Sequence, residues 1–204
     1  MADFPYYELN GQRYPRVTRI LSILREPEVE KWQQRIGSEE AEEVSREAKK
    51  LGTWLHRYIE GALKGQTTPL GQESPDRLHL IGAYHQWKRE RGSDLMPQAI
   101  EQTYHSATYG YAGTVDLVEA ARLTDWKVTG AIRPKHWIQL SAYVPLVFEP
   151  PYQVTLRIVR FDKSLGIYEQ QERLFHQDDL VAFQHLHEVY RRWFALELQP
   201  KEVA

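Results

Sequence analysis

Residues 98–128 constrain the fold more than any other stretch of this sequence. They read as three meandering strands, Gln98–His105, Gly110–Val118 and Arg122–Val128. A helix over about Pro134–Val147 follows, then strands at Gln153–Phe161 and Gly166–Leu174. A last helix begins near Asp178 and turns Leu180, Phe183, Leu186, Val189, Tyr190 and Trp193 inward. Three strands, a helix, two strands and a helix, with a helical lead-in, specify a layered α/β (α+β) domain.

The lead-in begins with a short extended piece, a turn at Asn10-Gly11 and the apolar stretch Val17–Leu24, interrupted near Pro27. A long helix is predicted over 38–64. Ser38 caps it, and Ala41, Val44, Ala48, Leu51, Leu55, Ile59 and Ala62 recur at spacings of three or four. Gly65 ends it. A second helix runs from Pro75 to Arg91, capped by Ser74 and stopped by Gly92, with Leu78, Ile81, Tyr84 and Trp87 as its buried stripe. Residues 1–72 form an N-terminal region and 73–198 the core of what is effectively one domain. The tail from Gln199 is expected to fray.

The length of 204 residues suits such a domain and is enough to bury a core. The chain has no cysteine, which excludes disulfides, thiolate zinc sites and a cysteine-ligated iron–sulfur cluster. The N-terminus lacks a signal-peptide pattern, and no stretch approaches the ~18 apolar residues of a membrane span. A cytoplasmic address is expected. The net charge of −2 argues against coating nucleic acid by bulk charge, but not against a basic groove around acidic ligands.

The chemistry concentrates in Gly110-Tyr-Ala-Gly-Thr-Val-Asp116 and Thr124-Asp-Trp-Lys127. Residues two apart on a strand share a face, so Asp125 and Lys127 project together. A turn centred on Ala120-Ala121 puts Asp116 opposite Asp125, ~5 Å away. Two carboxylates that close repel unless a cation intervenes, and oxygen ligands suit Mg²⁺ or Mn²⁺. Taken alone, an acid on a strand and a D-x-K tripeptide are ordinary surface charges. Their neighbours alter that reading. Upstream stands Gly52-Thr-Trp-Leu-His56, and downstream Gln139-Leu-Ser-Ala-Tyr143.

The series G-T-x-x-H, G-T-V-D, D-W-K and Q-x-x-x-Y, in that order, resembles the RecB-type branch of the PD-(D/E)XK nucleases. It is also similar to the phage and mitochondrial genome maintenance exonucleases of that superfamily. The resemblance covers about Tyr14 to Phe161. It implies a restriction-endonuclease-like core, a mixed sheet flanked by helices. It also implies metal held by His56, Asp116, Asp125 and the Trp126 carbonyl, with Lys127 orienting the nucleophile. Gln139 and Tyr143 would support the site. Glu101, on the preceding strand, is a further candidate as ligand, water orienter or plain surface acid. Lys135 lies one turn before Gln139 on the same helix face.

The expected activity is phosphodiester hydrolysis in DNA with one or two Mg²⁺ or Mn²⁺ ions, first of all by an exonuclease. A structure-specific endonuclease of the same fold and an inactive nucleic-acid-binding accessory protein are the alternatives. Replication or recombination proteins of a bacterium or phage-infected cell are the expected partners. Arg46, Lys49, Lys50 and Arg57 are candidates for steering phosphates. Trp32, Trp54 and Tyr58 are candidates for stacking on bases.

Overall fold

The computed structural model describes residues 6–66 and 71–194. The tail from Gln199 lies outside them. The chain opens with a hairpin, β1 (Tyr6–Leu9) and β2 (Gln12–Pro15), turned by Asn10 and Gly11 at φ 52° and 74°. Both residues of such a two-residue turn need positive φ, which Asn-Gly adopts most readily. Helices α1 (Val17–Leu21), α2 (Pro27–Ile36), α3 (Ser38–Leu63) and α4 (Pro75–Arg91) follow. Next come β3 (Ala99–Ser106), β4 (Tyr111–Glu119), β5 (Arg122–Val128), α5 (Pro134–Val147), β6 (Thr155–Asp162), β7 (Ile167–Leu174) and α6 (Gln177–Trp193). The sequence places the strands and helices from residue 75 onward within one or two residues of these bounds.

The main sheet has the order β3-β4-β5-β6-β7. Its pairs are antiparallel except β5 and β6, which run parallel because α5 carries the chain across between them. One face packs on α1, α5 and α6 through Val17, Ile20, Val115, Val118, Leu123, Leu140, Ile158 and Phe183. The other packs on α3 and α4 through Leu55, Ile59, Leu80, Tyr84, Trp87, Leu117, Trp126 and Phe161. The architecture is the mixed sheet between helical layers that the sequence implies.

Three details of patterning differ. Gly37, not Ser38, occupies the N-cap of α3, at φ 91°, and no side chain caps that end. In α4, Leu80 is buried with Ile81, Tyr84 and Trp87, while Leu78 is 53% exposed, because residues two apart in a helix lie on opposite sides. In α6, Val189 and Trp193 stand in solvent at 48% and 78% exposure, and His187 takes the inward position with Leu180, Phe183 and Tyr190. Of residues 38–50 in α3, only Ala41 is buried, so the first half of this helix stands clear of the core. Gly52 in α3 and Gly82 in α4 sit inside helices, where glycine is about 1 kcal/mol less favourable than alanine.

His187 has a consequence for acid stability. Its ring stacks on Phe183 and meets Tyr111 edge-on, and Nε2 has no hydrogen-bond partner among the described residues. Burial lowers its pKa to about 4. The unfolded chain therefore takes up this proton first. Stability is full above the ordinary histidine value near 6.5 and falls as pH drops from there toward about 4. Moving from pH 7 to pH 5 should cost about 1–2 kcal/mol at this position. Urea titrations at the two pH values check this: His187→Leu should lose that part of the acid sensitivity, and an unchanged difference would refute it.

Candidate active site

β3 and β4 are paired on both sides of one irregular position. Ile100 faces Leu117 and Gln102 faces Val115, with Glu101 and Asp116 between. Glu101 has φ 49°. A non-glycine residue in this left-handed region costs about 1–2 kcal/mol. The effect is visible in the packing. Ile100 lies against the α3–α4 layer, as does Leu117, yet Val115 belongs to the opposite layer. Regular alternation would put Val115 and Leu117 on one face. The break in alternation delivers Glu101 and Asp116, neighbours of Ile100 and Leu117, to the same α3 side.

There they meet His56 from α3. Its Nδ1 lies 3.0 Å from Oε1 of Glu101 and 3.5 Å from Oδ1 of Asp116. Its Nε2 lies 3.0 Å from the Trp126 carbonyl. Both ring nitrogens face acceptors, which suits an imidazolium donating from each. Burial alone lowers the pKa of His56, but Asp116 and Glu101 outweigh it and hold it well above its ordinary value. For Asp116, burial opposes ionisation, and His56, Lys127 and the Trp126 N–H overcome it, so its pKa is lowered. Burial, Asp116 and Glu60 raise that of Glu101 against the pull of His56.

Asp116 and Asp125 stand one step beyond the paired part of β4 and β5, where Leu117 faces Thr124 and Val118 faces Leu123. The Trp126 N–H donates to Oδ2 of Asp116 at 2.7 Å. The simple apposition of two carboxylates expected from the turn is thus replaced by a division. Asp116 turns to His56 and Glu101. Asp125 pairs with Lys127 Nζ, at 2.8 Å to Oδ1 and 2.6 Å to Oδ2. Burial raises the Asp125 pKa to about 6, Asp116 adds to this, and Lys127 opposes it.

From the other layer, α5 closes the site. Gln139 Nε2 lies 3.1 Å from Oδ1 of Asp125 and 3.1 Å from the Tyr143 hydroxyl. Tyr143 is buried, and burial with the two aspartates holds its pKa well above the usual phenol value. Its ring lies where a methyl on Gly113 would be. Lys135, on the same helix, is ion-paired with Glu26, as is Arg133.

The site opens into a cleft of about 500 Å³ lined by α3 (Ala48, Lys49, Gly52, Thr53, His56) and by Glu101, Trp126, Lys127 and Val128. Lys49 therefore borders the cleft. Arg46 and Lys50 are ion-paired to Glu43 and Glu47 on the exposed helix surface. Tyr58 is buried, and Trp54 stacks on it beneath the Arg77 guanidinium. These two rings pack toward α4 and are not presented to the cleft, contrary to the stacking role expected of them. Periodicity alone did not reveal which face of α3 each aromatic would take.

The donors of His56, Glu101 and Asp116 lie within 4.8 Å of one another. With the proton on His56 Nδ1 displaced, one imidazole nitrogen and two carboxylates form a mixed nitrogen and oxygen donor set that fits a small divalent cation. The Trp126 carbonyl borders the same group through His56. Glu101 thus stands in the donor cluster, while Asp125 is engaged by Lys127 and Gln139.

No family model and no curated protein matches the sequence. Among solved structures, the chain is similar to an alkaline exonuclease from Laribacter hongkongensis at 12% identity, over 91% of this chain and 89% of that one, with a TM-score of 0.49. It is also similar to a candidate exonuclease from Eubacterium rectale at 10% identity, over 76% of this chain and 72% of that one, with a TM-score of 0.54. At these identities the likeness is one of fold. With its five-stranded mixed sheet and helices on both faces, the chain shares the fold of the Eubacterium rectale protein over three quarters of its length.

Proposed function

We propose that the protein is a metal-dependent nuclease that hydrolyses phosphodiester bonds in DNA, and that it works as an exonuclease. The observation that carries this reading is the meeting of His56, Glu101 and Asp116 beside the Lys127–Asp125 pair at the floor of an open cleft. His56, Glu101 and Asp116 would hold Mg²⁺ or Mn²⁺, with Asp125 and the Trp126 carbonyl bordering them. When bound, the cation supplies Lewis acidity toward a phosphoryl oxygen.

The chain's own groups supply the rest. Lys127 is held by both oxygens of Asp125 and reaches the cleft, so its ammonium can orient a water and stabilise charge developing on the phosphate. Gln139 fixes Asp125 from behind, which limits the freedom of Lys127. Tyr143 stays protonated and accepts the second hydrogen bond of the Gln139 amide. Trp126 contributes its backbone to both halves: its N–H holds Asp116 and its carbonyl holds His56. A DNA substrate fits a cytoplasmic site of action among replication or recombination proteins. No helix among the described residues is long and apolar enough to cross a membrane.

Purified protein with Mg²⁺ or Mn²⁺ should degrade end-labelled linear DNA and leave closed circular single-stranded DNA of the same sequence intact. Excess chelator should stop cleavage. Mn²⁺ should support the faster reaction, because a nitrogen ligand suits it better than Mg²⁺. Rapid cutting of circles would move the reading to a structure-specific endonuclease with the same residues. Binding without cleavage under either metal would favour an inactive accessory protein. Full cleavage in chelator would defeat the metal assignment.

A further inference from the structure

A glycine can leave room for a neighbour. At Gly113, in a strand, the Tyr143 ring fills the place of the Cβ. At Gly52, inside α3, no neighbour does so among the described residues: nothing lies within 4 Å of a Cβ built there, and the residue is not among those with positive φ. It is not at a helix end, and alanine would suit the helix better. Gly52 lies one turn before His56 on the same helix face, in the wall of the catalytic cleft. The space its missing methyl leaves is cleft space.

We infer that Gly52 is a clearance position, at which the sugar–phosphate backbone of the bound strand passes in contact with α3. This rests on the nuclease reading given above and adds to it the path and orientation of the substrate. The chemistry of the wall selects backbone over base. Lys49 brings a cation and Ala48 a small surface, while the Thr53 hydroxyl donates to the Lys49 carbonyl of its own helix. The aromatic rings of this part of α3, Trp54 and Tyr58, pack away toward α4. The strand therefore lies with its phosphates toward α3 and its bases toward the other side of the cleft. Glycine permits that close approach of a ligand backbone.

A second helix glycine supplies the control. Gly82 in α4 is exposed, also meets nothing within 4 Å, and lines none of this cleft. Gly52→Ala and Gly82→Ala should each raise Tm by about 2–4 °C, as helix glycine replacements in a chain of this size do. Steady-state cleavage of a labelled linear single-stranded oligonucleotide in Mn²⁺ separates them. Gly52→Ala should raise KM about tenfold, as overfilling a fitted contact does. Gly82→Ala should leave KM and kcat at the parent values. A stabilised Gly52→Ala with parental KM overturns the inference while the nuclease reading stands. A parent that cleaves no nucleic acid removes that reading, and this inference with it.

Discussion

Lys127→Ala should lower kcat for DNA cleavage by about 10²–10³-fold while leaving metal binding intact. The geometry separates the two functions. Lys127 donates to Asp125 and lines the cleft, but offers no lone pair that a cation could use while it is charged. Its charge acts on Asp116 across the site. Removing that charge makes the His56–Glu101–Asp116 cluster more negative in sum, so Mn²⁺ affinity should hold or tighten. Asp116→Ala should behave oppositely and lose binding and turnover together, because it removes a donor that Trp126 and His56 hold in place. Calorimetric Mn²⁺ titration beside a single-turnover rate distinguishes the two. If Lys127→Ala cuts at the parental rate, the assignment of its role is wrong.

Gly113→Ala should damage the site without touching any charged group. Its added methyl would overlap the Tyr143 ring and press on Val17 at 3.3 Å. A tyrosine ring buried between β4 and α5 has no flexible end to swing aside, so either ring or strand must shift. Stability should fall by about 1–3 kcal/mol. Activity should fall further than stability implies, by about 10–100-fold in kcat at a temperature where the variant is fully folded. The route is traceable: Tyr143 holds Gln139, Gln139 holds Asp125, and Asp125 holds Lys127. Gly113→Ala combined with Tyr143→Leu should recover the lost stability and leave kcat low, since the clash is relieved but the hydrogen-bonded chain is not restored. A single variant with full activity, or a double variant with no recovered stability, contradicts this account.

The strands and helices from Pro75 onward were legible because their signals agree. Ser74 and Pro75 start α4, Gly92 stops it, and Ala120-Ala121 turns β4 into β5. The motifs brought His56, Asp116, Asp125, Lys127, Gln139 and Tyr143 to notice, and the fold gathers all six around one cleft floor. What was not legible depends on features that periodicity does not encode. The left-handed backbone at Glu101 redirects two acids to one layer, and no propensity marks a glutamate for that conformation. Leu78 against Leu80, and Val189 and Trp193 against His187, differ by which side of the helix meets the sheet. Gly52 and Gly113 look alike in sequence, yet one faces open space and the other a ring.

The site is contributed by both sides of the sheet. His56 arrives with α3 on one face, Gln139 and Tyr143 with α5 on the other, and the break between β4 and β5 joins them. For a chain gaining its structure in time, this makes activity a late event. A species with the sheet and only one helical layer docked would keep Glu101, Asp116, Asp125 and Lys127, which the strands carry, but would lack either the His56 imidazole from α3 or the Gln139–Tyr143 brace from α5. On the nuclease reading proposed above, full hydrolytic competence would then appear only with the arrival of the last layer.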